Sequence, residues 1–85
     1  MKLKFRGKAY SYLRKSIKDF GSCDNPKDYA KEIVVRKNMD EKEELDTNIH
    51  EFLHACFWDL TEEAITESAK DITEALWKLG YRKNV

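Results

Sequence analysis

Apolar and polar residues alternate at the start of the chain, whereas in its second half apolar residues recur at helical spacing. Residues 2–6 alternate strictly, which is the period of a half-buried strand. Residues 9–17 fit neither period cleanly, and we interpret them as a second strand. Residues 32–36 are β-branched at their centre and predict a third strand. Between these strands, residues 21–27 are expected to form a loop that turns at Asn25-Pro26.

Two helices are predicted after residue 40. Thr61 is a good N-cap for the second helix, and Gly80 suits the position that follows its C-terminus. The predicted fold class is therefore α+β, a small antiparallel sheet of about three strands followed by an antiparallel pair of helices, in one domain that spans residues 1–85. The apolar residues of the first helix are Leu45, Ile49, Phe52, Leu53, Cys56 and Phe57, and those of the second are Ile65, Ala69, Ile72, Leu76 and Leu79.

The composition fits one small globular domain. The 85 residues are 41% hydrophobic and 38% charged, which is too hydrophobic for a disordered chain. No apolar run approaches the roughly 20 residues needed to cross a bilayer, and no signal peptide is recognisable. Cys23 and Cys56 are too few for a disulfide framework, although a single disulfide between them stays open. We therefore expect a cytoplasmic protein without a membrane partner.

The zero net charge of the chain hides an asymmetry. Residues 1–39 hold 11 Lys and Arg against 4 Asp and Glu, and residues 40–85 hold 5 against 12. A basic half can contact nucleic acid, and Arg14, Lys15 and Lys18 would be among its contacts. We favour the interpretation that the two halves pack against each other with complementary charge. A nucleic-acid partner is therefore not expected.

One short segment of the first predicted helix has the spacing of a metal site. His50 and His54 stand four residues apart, so their side chains lie about 40° apart around the helix and one turn apart along it. Two imidazoles in this arrangement can bind one zinc ion, and the adjacent Glu51 can act as general base on a water held by that ion. The alternative is a pair of histidines at helical spacing without a ligand. We favour the metal site, because the segment lies within an amphipathic helix and uses both histidines of the chain.

Two histidines and a water leave a tetrahedral zinc ion one protein ligand short. Cys56 points away from His54, since residues two apart on a helix are separated by about 200°. If the turn between the helices centres on residues 60–61, Glu67 lies level with His54 and Asp71 with His50. This geometry favours Glu67 as the third ligand and Asp71 as acceptor of a hydrogen bond from His50, although both lie off the apolar stripe of their helix. The full set of candidates is Cys56, Glu62, Glu63, Glu67 and Asp71.

The histidine segment and the second helix together resemble a known family. The sequence His-Glu-Phe-Leu-His at residues 50–54, followed after twelve residues by Glu67-Ser68-Ala69-Lys70-Asp71, is similar to the gluzincin pattern of HExxH and a second helix with Glu-x-x-x-Asp. The short spacing is most similar to the minigluzincins and to small HExxH proteins of phage or prophage type. The resemblance covers mainly residues 45–72. It implies zinc ligands at His50, His54 and Glu67, a general base at Glu51 and a supporting role for Asp71.

The resemblance also implies a small sheet whose edge strand pairs with an extended peptide substrate, and residues 33–36 are the candidate strand. Larger gluzincins stabilise the oxyanion with a His or Tyr from a further C-terminal subdomain, which has no counterpart in these 85 residues. Tyr81 lies ten residues beyond Asp71, about 15 Å along a helix, which is too far from the metal. The remaining tyrosines are not placed by the sequence, so no residue is assigned to the oxyanion.

Three functions compete. The first is a zinc-dependent metallopeptidase that hydrolyses a peptide or amide bond of a peptide or protein substrate. The second is a non-catalytic domain in which zinc is structural; the missing oxyanion donor favours it, whereas the retained Glu51 argues against it. The third is a nucleic-acid or protein-binding module that uses the basic half, and it lacks a recognisable motif. We rank the three in that order.

Overall fold

The computed structural model describes residues 1–83 and has an α+β fold in which four strands precede two helices. The helices and most strands lie where the hydrophobic pattern predicts them. Their bounds are β1 Lys2–Phe5, β2 Lys8–Lys15, β3 Gly21–Cys23, β4 Glu32–Arg36, α1 Glu41–Cys56 and α2 Glu62–Lys78.

The four strands form one mixed sheet in the order β1-β2-β4-β3. β1 and β2 form an antiparallel hairpin, β2 and β4 are parallel, and β3 is antiparallel to β4. After β2 the chain forms β3 at the far edge and then returns to place β4 between β2 and β3. The prediction of an antiparallel sheet of about three strands is therefore wrong in strand number and in orientation, because this return makes β2 and β4 run in the same direction.

β3 occupies part of the predicted loop. Gly21 lies opposite Val35 and Cys23 opposite Ile33. β3 therefore forms by pairing with the backbone of β4, although its own sequence has no strand pattern. The predicted turn at Asn25-Pro26 is confirmed: the Asn25 carbonyl accepts a hydrogen bond from Asp28 N at 2.9 Å, and its side-chain Oδ1 accepts one from Lys27 N at 2.9 Å.

The position of β4 also changes which strand can pair with a ligand. Residues 33–36, the candidate edge strand from the sequence, lie in β4, which is paired on both sides. This prediction is therefore wrong, because an interior strand has no free backbone groups to offer. Within residues 1–83, the free edge on that side of the sheet belongs to β3.

The main core lies between the sheet and α1. Tyr10, Ile33 and Val35 are fully buried, and Ala55 of α1 packs against them. Burying such side chains stabilises the fold by roughly 1.5–3 kcal/mol each. The fully buried cluster of Tyr10, Ile33, Val35 and Ala55 thus lies where α1 meets the sheet.

α2 packs on α1 and runs antiparallel to it, as predicted. Ion pairs join Lys42 to Glu74 at one end of the helix pair and His54 to Glu62 at the other. The face of α2 that meets α1 buries Ile65, Ala69 and Thr73, whereas two members of the predicted stripe, Ile72 and Leu79, are exposed. Thr61 is confirmed as N-cap, since its hydroxyl accepts a hydrogen bond from Ala64 N at 3.1 Å.

Two further expectations can be compared with the fold. The basic and acidic halves are in contact, and Arg14 of β2 pairs with Glu44 of α1. In residues 1–83 both cysteines, Cys23 and Cys56, are free thiols. Neither helix of the described chain is long and apolar enough to cross a membrane.

Candidate metal centre

Three side chains from the two helices converge at the open end of the helix pair. Nε2 of His50 lies 2.7 Å from Oε1 of Glu62, and Nε2 of His54 lies 3.0 Å from Oε2 of the same carboxylate. The two imidazole rings are 5.0 Å apart between centroids. One potential ligand atom from each residue lies within 4.8 Å of the other two, so these residues could hold a metal ion.

The geometry follows from where the two helices end and begin. His50 and His54 lie one turn apart on the same face of α1, and their side chains are about one fifth exposed. Glu62 is the first residue of α2 and lies on the same face as Ile65 and Ala69, which pack against α1. The positive end of the helix dipole also favours a carboxylate there. The burial of the α2 core face therefore aims Glu62 at the histidines.

Glu67, the third ligand predicted from the sequence, does not join this group. It is exposed on α2, about 160° around the helix from the buried Ile65. The sequence-based prediction assumed a turn centred on residues 60–61. In the structure His54 contacts Glu62. The residue of α2 that lies opposite His54 is therefore about five positions, or more than one helical turn, closer to the start of α2 than that assumption places it.

Asp71, predicted to accept a hydrogen bond from His50, is likewise exposed on α2. The same shift along the helix carries it beyond the level of His50. The carboxylate that contacts His50 in the described structure is Glu62. The structure thus brings together His50, His54 and Glu62, and separates Glu67 and Asp71 from them.

Glu51 lies beside this group and is almost completely buried, with 7% of its surface exposed. The pKa of its carboxyl is raised from 4.5 to about 7, mainly by burial; within this net change the neighbouring His50 lowers the pKa and Glu62 raises it. A carboxyl with a pKa near neutrality can accept and return a proton at physiological pH. This is the property that a general base requires.

The burial of Glu51 depends on a glycine that the sequence analysis did not single out. A Cβ atom on Gly21 of β3 would lie 2.9 Å from the Val34 carbonyl oxygen, 3.0 Å from Cγ2 of Thr47 and 3.2 Å from Oε2 of Glu51. These distances are shorter than ordinary van der Waals contacts. Gly21 therefore lets the edge strand pass directly over the Glu51 carboxylate.

Substitution of Gly21 by alanine is expected to disturb this contact. The closest contact is with a backbone carbonyl of β4, so β3 itself must shift to relieve it, and this shift disturbs its packing on Glu51 and Thr47. We expect a loss of about 1–3 kcal/mol in the free energy of unfolding. We also expect the pKa of Glu51 to fall from about 7 toward 4.5, because its carboxylate gains solvent. Urea denaturation and an NMR pH titration of the Glu51 carboxyl carbon measure the two effects.

Gly7→Ala is the matched control. Gly7 has a φ of +79° and open space around it, so alanine there is strained by roughly 1 kcal/mol without touching the site. Its unfolding free energy should fall while the pKa of Glu51 stays unchanged. If Gly21→Ala and Gly7→Ala leave the same pKa at Glu51, the proposed contact does not control the burial of that carboxyl.

A cavity of about 700 Å³ opens in front of the candidate ligands. β3 forms one wall, and none of the four tyrosines lines it: Tyr10 is buried in the core, Tyr12 donates a hydrogen bond to Asn48, and Tyr29 and Tyr81 are exposed. The residues that line it are Asp19, Phe20, Gly21, Ser22, Cys23, Asp46, Thr47, His50, Glu51, His54, Trp58, Glu62 and Thr66.

Cys23 also lines this cavity, but its Sγ is not among the ligand atoms that converge at the candidate site. Burial is the main cause that raises the pKa of its thiol, and together with the nearby Glu51 it brings this pKa to about 12. The donor set of the cavity therefore consists of two imidazoles and a carboxylate.

Comparisons with known proteins supply no relative for this chain. No protein-family model matches it, and no curated protein or solved structure is significantly similar to it. The function must therefore be argued from the site itself.

Sequence reasoning identified both histidines and Glu51, but it missed three features of the site. Gly21 comes from residues 21–27, which were interpreted as a loop, and Phe20 precedes that loop without an assigned element, so neither residue had a sequence signal for its place in the site. Asp46 did have a sequence signal, because it lies four residues before His50 and therefore on the same helical face as both histidines.

Proposed function

We propose that the protein is a zinc-dependent metallopeptidase-like hydrolase in which His50, His54 and Glu62 bind the metal and Glu51 is the general base. The observation that carries the proposal is the convergence of these three side chains beside a buried carboxyl whose pKa is about 7. The likeness of residues 50–54 to the HExxH pattern supports the same assignment. Glu62 takes the place of Glu67, the third ligand predicted from the sequence.

The donor set fits zinc. Two imidazole nitrogens and one carboxylate oxygen are the ligands of many catalytic zinc sites, which leave a fourth position open. Ligands of a tetrahedral zinc ion lie about 3.4 Å apart, and the three candidate atoms already lie within 4.8 Å of one another. Small rotations of side chains that are still partly exposed are enough to close this difference. When bound, the zinc would supply Lewis acidity that makes water acidic near neutral pH.

The chain's own residues account for proton transfer and substrate placement. Glu51 would take the proton from the attacking water and give it to the leaving amine. β3 lines the same cavity and is an edge strand, so an extended peptide would pair with its backbone as an added strand. The candidate substrate strand is thus β3 rather than β4.

The first test is metal content and its link to hydrolysis. We expect the protein, refolded with zinc and dialysed, to retain about one zinc ion per chain by elemental analysis. It should cleave members of a peptide mixture, as detected by mass spectrometry. Removal of the metal with 1,10-phenanthroline should abolish cleavage, and added zinc should restore it. If the chain retains no zinc, the proposed metal site, and with it the proposed hydrolysis, is wrong.

A second candidate function, a non-catalytic zinc-binding domain, is favoured by one observation. Among the residues that line the cavity there is no Tyr, Lys or Arg to stabilise an oxyanion, and both histidines belong to the ligand group. Far-ultraviolet circular dichroism of the metal-free chain separates the two functions. A structural zinc would be needed for folding. A catalytic zinc would not, because the core of Tyr10, Ile33, Val35 and Ala55 contains none of the three candidate ligands.

A further inference from the structure

The cavity in front of the candidate metal centre is acidic. Asp19, from the connection between β2 and β3, and Asp46, from α1, both line it, together with Glu51 and Glu62. Within residues 1–83, none of the cavity-lining residues is Lys or Arg. A concave site lined by one sign of charge concentrates ligands of the opposite sign.

The carboxylates of this cavity lack cationic partners. Glu62 contacts the two histidines, but within the described chain Asp19, Asp46 and Glu51 form no ion pair with Lys or Arg. Glu51 is more than nine-tenths buried. If a divalent metal is bound, Glu62 and Glu51 offset its two charges. Asp19 and Asp46 then remain without an ion-pair partner among the described residues of the cavity.

Two exposed aromatic side chains line the same cavity. Phe20 is 52% exposed and Trp58 is 41% exposed, so both rings are accessible to a ligand in the cavity. The Trp58 ring lies 6.1 Å from the His54 ring, next to the candidate metal ligands. The guanidinium of Arg36 lies 4.6 Å from the centre of the Phe20 ring, so this ring already interacts with a cation.

Carboxylates and aromatic faces together suit one kind of side chain. An arginine or lysine carries a charged head that pairs with carboxylates and a long stem that packs on aromatic rings. A purely apolar side chain would leave Asp19 and Asp46 desolvated and unpaired, which costs free energy. We propose that the cavity between Asp19, Phe20, Asp46 and Trp58 is a specificity subsite for a cationic Arg or Lys side chain of a peptide that lies along β3.

This inference rests on the proposed function only for the orientation of the peptide, so its test uses binding rather than hydrolysis. The zinc-loaded Glu51→Gln chain, which should bind without cleaving, is titrated into acetylated Ala-Gly decapeptides that carry an uncharged fluorophore and differ only in the central residue. The central residue is Arg, Lys, Gln, Leu or Glu. We expect the Arg and Lys peptides to bind about tenfold tighter than the Gln peptide by fluorescence anisotropy, and the Glu peptide to bind most weakly.

Variants of the cavity then identify the residues responsible. Asp46→Asn and Asp19→Asn should each remove most of the preference for Arg over Gln, and Trp58→Ala should weaken the Arg and Lys peptides alike. Asp28→Asn, on the exposed β3–β4 connection outside the cavity, should change nothing. The proposal is overturned if the Leu peptide binds as well as the Arg peptide, if no peptide binds, or if Asp46→Asn and Asp19→Asn keep the full preference.

The same titration of the metal-free wild-type chain separates this inference from the proposed function. The two aspartates and two aromatic rings do not depend on the metal, so a preference for Arg over Gln and Leu should persist without zinc. A chain that prefers Arg but retains no zinc would support the subsite and contradict the peptidase. A chain that binds zinc and hydrolyses peptides without regard to their charge would support the peptidase and contradict the subsite.

Discussion

The zinc-loaded Glu51→Gln variant is expected to retain its metal and to lose peptide hydrolysis by a factor of about 10²–10⁴. Glutamine has nearly the shape of glutamate but cannot accept a proton from water. The carboxylate is not one of the three convergent ligand candidates, so zinc binding should be unaffected. Initial rates on a peptide cleaved by the wild type, together with zinc content by elemental analysis, measure the two effects separately.

Loss of folding cannot account for that expected result. Burial disfavours the charged form of Glu51, as its raised pKa shows, and the neutral amide of glutamine avoids this cost. The variant should therefore be at least as stable as the wild type above pH 7, as measured by urea denaturation. Glu63→Gln is the matched control, because Glu63 is an exposed carboxylate next to Glu62 and should keep full activity. If Glu51→Gln hydrolyses peptide at the wild-type rate, Glu51 is not the general base.

The parts of the site that could be predicted from the sequence are those fixed by local geometry. His50, Glu51 and His54 are separated by less than five residues on one helix, and the helical repeat alone places the two imidazoles together. Thr61 likewise caps α2 through a hydrogen bond to a residue three positions away. Such contacts depend on nothing outside the element that contains them.

The parts that could not be predicted depend on distant segments. Gly21-Ser22-Cys23 shows neither alternation nor β-branched residues, and it becomes a strand because Ile33 and Val35 are held in β4 beside it. The parallel pairing of β2 and β4 joins residues about twenty positions apart, and no local pattern distinguishes it from an antiparallel pair. The close passage of β3 over Glu51 follows from this non-local pairing.

The position of α2 along α1 is the third non-local feature, and it determines which glutamate of α2 lies beside the histidines. α1 ends at Cys56, and the connection of residues 57–61 lets α2 begin with Glu62 already beside His54. The sequence placed the turn near residues 60–61, which is a small error in a boundary. In a helical hairpin each residue of error in the turn centre shifts the pairing by two residues, so a small error exchanges Glu62 for Glu67.

The choice between these two glutamates is the second prediction with a large effect. Glu62→Gln is expected to weaken zinc binding by more than about 100-fold, because it removes a charged ligand oxygen rather than a supporting contact. Glu67→Gln changes the same residue type on the same helix, but outside the group formed with the histidines, and should leave zinc affinity unchanged. Competition with a chromophoric chelator measures both affinities.

Thermal unfolding checks the same prediction by a different property. Free zinc at about 100 times its dissociation constant should stabilise the wild type and Glu67→Gln by about 2.7 kcal/mol, since only the folded chain brings His50, His54 and Glu62 together. The same zinc concentration should add well under about 1 kcal/mol to Glu62→Gln. If Glu67→Gln loses the stabilisation and Glu62→Gln keeps it, the contact of Glu62 with the histidines is an ion pair unrelated to the metal. The third ligand would then be the one that the sequence pattern indicates.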